Sequence, residues 1–190
     1  SVWLLPGYAV NQSLAPVIAL VGADGSGKST LIKDLLTHLR QHRLTETGYL
    51  GLGSGPLGRK IAALPLIGPA LARYLKTKAR QARDPKGEIP GLVTALVLYR
   101  YSLKRKARFD RVSALRRRGI MVLTDRYPQA EIPGFYDGPG LSAARTNNPL
   151  IAWLAVRERR LYADMAEARP SLVLRLNIDL PTALKRAGDH

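Results

Sequence analysis

The sequence predicts an α/β protein in which a parallel central sheet is flanked by helices, a three-layer fold. Three observations carry that prediction. The apolar runs Val17–Val21 and Ile120–Thr124 are continuous rather than alternating, and Leu172–Ile178 is nearly so, as in strands covered on both faces. The stretches between them repeat apolar residues at helical spacing. The first run passes through a glycine-rich loop directly into one of those helices. Strands that alternate with helices imply parallel pairing through right-handed crossovers.

Residues 1–16 carry Pro6, Gly7, Asn11 and Pro16 among apolar residues and read as an irregular or short-strand lead-in. The run 17–21 ends at a glycine and is expected to form a central strand. From Lys28 onward, Leu31, Ile32, Leu35, Leu36 and Leu39 recur with Lys33, Asp34, His38 and Arg40 between them, which predicts an amphipathic helix to about His42. Thr45–Leu50 predicts a shorter strand, and Gly51, Gly53, Gly55 and Gly58 after it read as a long flexible loop. Over 59–83, basic residues mix with the apolar stretch Ile61–Leu71. Pro65, Gly68 and Pro69 break that stretch and predict two short helices rather than one interfacial helix. Asp84–Gly87 is turn chemistry, and a long helix follows Pro90 to about Arg118, where Gly119 ends it.

The strand 120–124 stops at Asp125-Arg126-Tyr127-Pro128, because proline cannot donate to a ladder. Residues 129–149 are rich in glycine and proline and read as loop, and 150–168 read as helix. Within that helix Glu158 and Tyr162 share a face by their i, i+4 spacing. After the third strand, Pro181 is well placed in the first turn of a short helix through Leu184. Trp3, Tyr74 and Trp153 are expected to be packing residues.

A chain of 190 residues with 46% hydrophobic content can bury one sizeable core, so residues 17–190 are expected to form one domain behind the 1–16 lead-in. Cysteine is absent, which excludes disulfides and cysteine-based zinc sites, and three scattered histidines make no metal cluster. No run is long and apolar enough to span a membrane, and no signal-peptide pattern leads the chain. The expectation is a soluble protein of the reducing cytoplasm. The start at Ser1 without Met and the end soon after a strand predict a piece of something longer, truncated at or before a terminal segment. Thirty Lys and Arg against fourteen acidic residues give a formal charge of +16, so the partners should be anionic.

Gly22-Ala23-Asp24-Gly25-Ser26-Gly27-Lys28-Ser29-Thr30 satisfies G-x-x-x-x-G-K-[ST], the phosphate-binding P-loop of the P-loop NTPase fold. Its glycines let successive N–H groups turn inward, and the following helix aims its positive end at the same point. The residues expected to bind ATP are Gly22, Gly25, Ser26, Gly27, Lys28, Ser29 and Thr30. Lys28 brings a mobile charge to the outer phosphates, and Ser29 is the expected ligand of Mg²⁺ beside them.

The acidic third position of the loop, Asp125-Arg126-Tyr127 at the end of a later strand, and Leu172–Asp179 followed by Ala183-Leu184-Lys185-Arg186 resemble the thymidylate kinase family of nucleoside monophosphate kinases. The resemblance runs from about Val17 to Arg186. It implies an ATP- and Mg²⁺-dependent kinase in which Asp24 contacts the acceptor's sugar, Arg126 grips the acceptor's phosphate and Asp125 acts beside the metal. Lys28, Asp125 and Arg126 are then the catalytic set.

Three departures accompany the resemblance. Counting back from Asp125 to the family's acceptor-binding arginine reaches Lys104, which lacks the planar fork. The Gly51–Arg83 stretch is unusually rich in Gly, Pro and basic residues, so the acceptor is a nucleoside monophosphate or a divergent sugar or metabolite. The chain stops at His190, where the family's lid should follow, and Gly25 stands where one type of the family carries its catalytic arginine. A homodimer is left open.

A non-catalytic nucleotide-binding module is the first alternative. The second is a basic protein binding nucleic acid or an anionic membrane through Arg100–Arg111 and Arg116–Arg118, although aromatic residues for stacking are sparse there. A solvated basic helix face is the plainer expectation for those stretches.

Overall fold

The computed structural model describes residues 14–23, 25–51, 91–133, 137–141 and 146–178. The lead-in up to residue 13, the two helices expected over 59–83, Trp3, Tyr74, Asp24 and the helix expected after Pro181 lie outside them. The elements in chain order are β1 (Val17–Gly22), α1 (Lys28–Arg40), β2 (Thr45–Tyr49), α2 (Leu92–Arg117), β3 (Met121–Asp125), α3 (Pro149–Glu167) and β4 (Leu172–Leu176).

The four strands form one sheet in the order β2-β3-β1-β4, and every pairing is parallel. The register sets Leu20 beside Asp125 across β1 and β3, and Tyr49 beside Asp125 across β2 and β3. The P-loop strand is therefore internal, as its unbroken apolar run predicts. β2 has the polar sequence Thr-Glu-Thr-Gly-Tyr and still pairs. Gly48 leaves room there for Val112, because a Cβ at that position would lie 2.7 Å from the Val112 methyl group.

β4 departs from expectation. Its apolar residues predict burial on both faces, yet Leu172 and Val173 are about half exposed, at 49% and 51%. The strand ends the described sheet order and pairs with β1 alone, so hydrophobicity identified the strand but not its cover.

α1 packs against β1, β2 and β3, and α2 lies on β2 and β3 with α3 packed against it. The larger core joins Val17, Leu50, Phe109, Val112, Val122, Tyr162 and Met165. A second cluster of Ala95, Leu141, Ile151 and Leu154 closes the other end of the α2–α3 pair. Each Val, Leu, Ile, Phe or Met among them contributes about 1.5–3 kcal/mol by leaving water. α3 begins where local chemistry demands: Asn148 Oδ1 accepts from the amides of Leu150 and Ile151 at 2.9 and 3.4 Å, and Pro149 fits the first turn.

Trp153 corrects an expectation of packing. It is 54% exposed, with the Arg157 guanidinium 4.9 Å from its ring centroid. The helix turns this position outward while Ile151, Leu154, Glu158, Tyr162 and Met165 face in.

Between the two apolar clusters lies a polar layer. Glu158 is buried; it accepts from the Ser102 hydroxyl at 2.6 Å and from the Leu141 amide at 2.5 Å. Replacing Glu158 with alanine strands both donors in the interior and is expected to lower unfolding free energy by about 2–3 kcal/mol. Urea denaturation measures this, and a loss below about 1 kcal/mol contradicts the role assigned to the carboxylate.

Candidate functional site

The loop after β1 is shaped by its glycines. Gly22, Gly25 and Gly27 have φ of 153°, 80° and 87°. A Cβ on Gly22 would stand 2.6 Å from the Leu176 carbonyl oxygen and 2.9 Å from Ser26 Oγ, so the loop closes against β4 only with glycine there. Gly22→Ala is expected to cost about 2 kcal/mol of stability and to weaken ATP binding at least 10-fold, by calorimetry on the folded variant. Wild-type affinity in that variant refutes the need for this loop shape.

Lys28 opens α1 and is buried, with its Nζ curled back into the loop. It donates to the Gly22 and Ala23 carbonyls at 3.0 and 2.6 Å, with Ser26 Oγ at 3.5 Å. Those carbonyls hold the ammonium over the mouth of the loop. Gly25, Ser26 and Gly27 are half-buried, and Ser29 and Thr30 are exposed on the first turn of α1.

One strand away, Asp125 and Arg126 leave the carboxyl end of β3. The Leu50 amide donates to the Asp125 carbonyl at 3.0 Å and the Arg126 amide donates to the Leu20 carbonyl at 2.9 Å, which ties this corner to β1 and to the end of β2. Arg126 sits at φ 69°, a left-handed conformation costly for a side chain of this size. Gly51 makes room beside it: a Cβ there would approach Arg126 Cδ to 2.8 Å. The sheet thus brings Gly22, Gly25, Ser26, Gly27, Lys28, Ser29, Thr30, Asp125 and Arg126 to one edge, in the crevice beyond the carboxyl ends where open α/β sheets bind ligands.

Lys104 lies elsewhere. It is exposed on α2, with its Nζ 5.6 Å from the Tyr101 ring centroid. The next residue, Arg105, turns inward and is fully buried. Its Nε donates to the Leu50 carbonyl at 2.5 Å, and its NH1 donates to the Asp137 carbonyl at 2.8 Å and the Tyr162 hydroxyl at 3.1 Å. Its NH2 pairs with Asp137 Oδ1 at 2.5 Å. Arg105 is the neighbour of Lys104 in the chain, and one residue on a helix is a rotation of about 100°. A signal for it existed: Ala95, Ser102, Arg105, Phe109 and Val112 recur at helical spacing and form the inward face.

Asp137, from the loop between β3 and α3, joins the two arginines. Its Oδ1 faces Arg105, and its Oδ2 lies 3.5 Å from Arg126 NH1. Tyr162 closes the network. Burial pushes its pKa above the ordinary tyrosine value, an effect that Arg105 opposes, so the hydroxyl stays protonated at neutral pH. Of the two residues that the sequence singled out only by spacing, Tyr162 is thus a buried partner of Arg105, and Glu158 is buried against Ser102 and the Leu141 amide.

The basic stretch on α2 is less of a solvated face than its sequence suggests. Arg105 is buried, Arg108 donates to the Gly51 carbonyl at 3.0 Å, Lys106 pairs with Asp110 at 2.6 Å, and Arg116 donates to the Ala15 carbonyl at 3.0 Å. Arg105, Arg108 and Arg116 tie α2 to other segments of the fold, whereas the Lys106–Asp110 pair lies within the helix.

Among the described residues, no helix is long and apolar enough to cross a membrane. No protein-family model matches the chain. Among solved structures, the chain is similar to a thymidylate kinase from Candida albicans, with a TM-score of 0.44 and 20% identity, over 90% of this chain and 67% of that one. That superposition is loose. Sequence relatives are much nearer. The "Uncharacterized ATP-binding protein YghR" of Escherichia coli K12 is 47% identical over 189 residues, covering 95% of this chain and 75% of that protein. The "Uncharacterized ATP-binding protein YghS" of the same strain is 43% identical over 182 residues, covering 95% and 77%. With identity of this order along nearly its whole length, the chain belongs to the family of YghR and YghS.

Proposed function

We propose that this chain binds ATP in the Gly22–Thr30 loop and transfers its terminal phosphoryl group to a small acceptor seated against Asp125 and Arg126. The observation that carries this reading is the register of β1 against β3. It sets the phosphate loop and the Asp125-Arg126 pair at adjacent strand ends, with the Arg126 amide bonded to the Leu20 carbonyl. The printed names of YghR and YghS, both called ATP-binding, support the nucleotide half of it.

In this reading Lys28 leaves the loop carbonyls and moves onto the outer phosphates, and the amides from Gly22 to Thr30 hold the phosphate oxygens. Ser29 and Asp125 supply a hydroxyl and a carboxylate, hard oxygen donors that suit Mg²⁺. Such an ion would neutralise charge on the transferring phosphates. Arg126 orients the acceptor end, and Asp24, from the family resemblance, is a further acceptor contact. Phosphoryl transfer asks mainly for positioning and charge neutralisation, which a lysine, an arginine and a fixed loop provide. The acceptor oxygen belongs either to a nucleoside monophosphate or to a sugar or other hydroxylated metabolite.

The test is ADP formation by the purified protein with Mg²⁺ and ATP over a panel of such acceptors. Acceptor-dependent turnover that disappears in Lys28→Ala is the expected result. ATP bound without turnover for any acceptor favours a nucleotide-binding module and overturns the transferase reading.

A further inference from the structure

Among the described residues, two arginines at the acceptor end share one carboxylate: Asp137 meets Arg105 through Oδ1 and Arg126 through Oδ2. Arg105 is committed to the protein: its Nε, NH1 and NH2 all donate to Leu50, Asp137 and Tyr162, and none of it is exposed. Arg126 alone of the two remains partly exposed, and the Asp137 carboxylate stands 3.5 Å from it.

Asp137 is not a casual surface partner. Its side chain is 13% exposed, its backbone sits at φ 67°, and Arg105 grips both its carbonyl and its carboxylate. A residue held at two points by a buried guanidinium is placed before any ligand arrives. A site that binds a doubly charged phosphate keeps surplus positive charge facing it; here a fixed carboxylate occupies that place and would repel the incoming group.

We propose that Asp137 is a specificity-determining residue: it balances Arg126, so the site takes a neutral, hydroxyl-bearing acceptor and rejects one that already carries a phosphate group. This deepens the kinase reading above and rests on it. In the reaction the acceptor hydroxyl oxygen forms the new bond to the γ-phosphorus as the bond to the β,γ-bridging oxygen breaks. ADP leaves and the hydroxyl proton passes to solvent. Arg126, with its charge balanced, serves as a hydrogen-bond donor to the transferring group rather than as an anchor for an acceptor phosphate.

The experiment has two arms. In the first, wild-type protein with Mg²⁺ and ATP is offered matched pairs: deoxyribonucleosides and their monophosphates, ribose and ribose 5-phosphate, glycerol and glycerol 3-phosphate. Turnover of a neutral member at least ~10-fold above its phosphorylated partner is expected, and the reverse preference overturns the proposal. In the second, inorganic phosphate is titrated with the loop filled by a non-hydrolysable ATP analogue, and again in the Lys28→Ala background. Asp137→Asn, which keeps the side-chain shape and the backbone carbonyl for Arg105, is expected to bind phosphate at least ~10-fold tighter than its Asp137 parent. Equal affinity overturns the proposal even if no pair in the first arm turns over. Failure of the analogue to bind defeats the kinase reading separately, while the Lys28→Ala titration still decides the role of Asp137.

Discussion

Arg105→Ala is expected to destabilise the fold by about 3–5 kcal/mol, the cost typical of removing one partner from a buried charge pair. The guanidinium is fully buried and has four hydrogen bonds, to the Leu50 carbonyl, to the Asp137 carbonyl and carboxylate, and to the Tyr162 hydroxyl. Its loss leaves a carboxylate with 13% exposure facing a void, with Arg126 as its remaining ion-pair partner among the described residues. The end of β2, the loop after β3 and α3 all lose the group that joins them. Arg105→Lys keeps the charge without the planar fork and should lose roughly half as much, because a single ammonium cannot meet three segments at once. Urea denaturation of the two variants checks both figures. A loss under about 1 kcal/mol for Arg105→Ala means that the network is incidental to stability.

Lys28→Ala is expected to weaken ATP binding by on the order of 10²- to 10³-fold, the effect of deleting one member of a desolvated charge pair. The same change should cost only about 1–2 kcal/mol of stability in the absence of nucleotide. It removes the donor to the Gly22 and Ala23 carbonyls, which lie at a half-open site that water can reach. Calorimetry with ATP and Mg²⁺, paired with thermal unfolding of the apo protein, separates the two effects. Wild-type affinity in the variant removes the loop as the nucleotide site, whereas lost affinity with a collapsed fold shows that the lysine is first a structural residue.

The strands, the helices and the phosphate loop were legible because each is a local pattern. β1 and β3 are unbroken apolar runs ended by Gly22 and Asp125; α1 follows from leucine spacing after Lys28; α3 starts at a capping Asn148 and a Pro149. Lys28, Ser29, Asp125 and Arg126 could be named because they stand at the ends of such elements, where a parallel sheet gathers ligand contacts. What the sequence did not disclose depends on distant segments. Arg105 is one basic residue among several on α2. Only the docking of α2 against the end of β2, Asp137 and α3 distinguishes it from exposed Lys104, because burial of a guanidinium is tolerable only where other segments supply its acceptors. Asp137 reads as a loop residue until the fold sets it between two arginines that lie 32 and 11 residues away in the chain. Glu158 reads as a helix-surface residue until Ser102 and the Leu141 amide meet it. The exposure of Trp153, and of Leu172 and Val173 on β4, was likewise hidden, since apolar character says that a residue can be buried and only the neighbouring elements decide whether it is. Sequence alone thus determined the elements, the parallel α/β class and the phosphate loop, all of them functions of short-range spacing. Tertiary structure decided which charges meet, because pairing and desolvation depend on segments that only the completed sheet brings together.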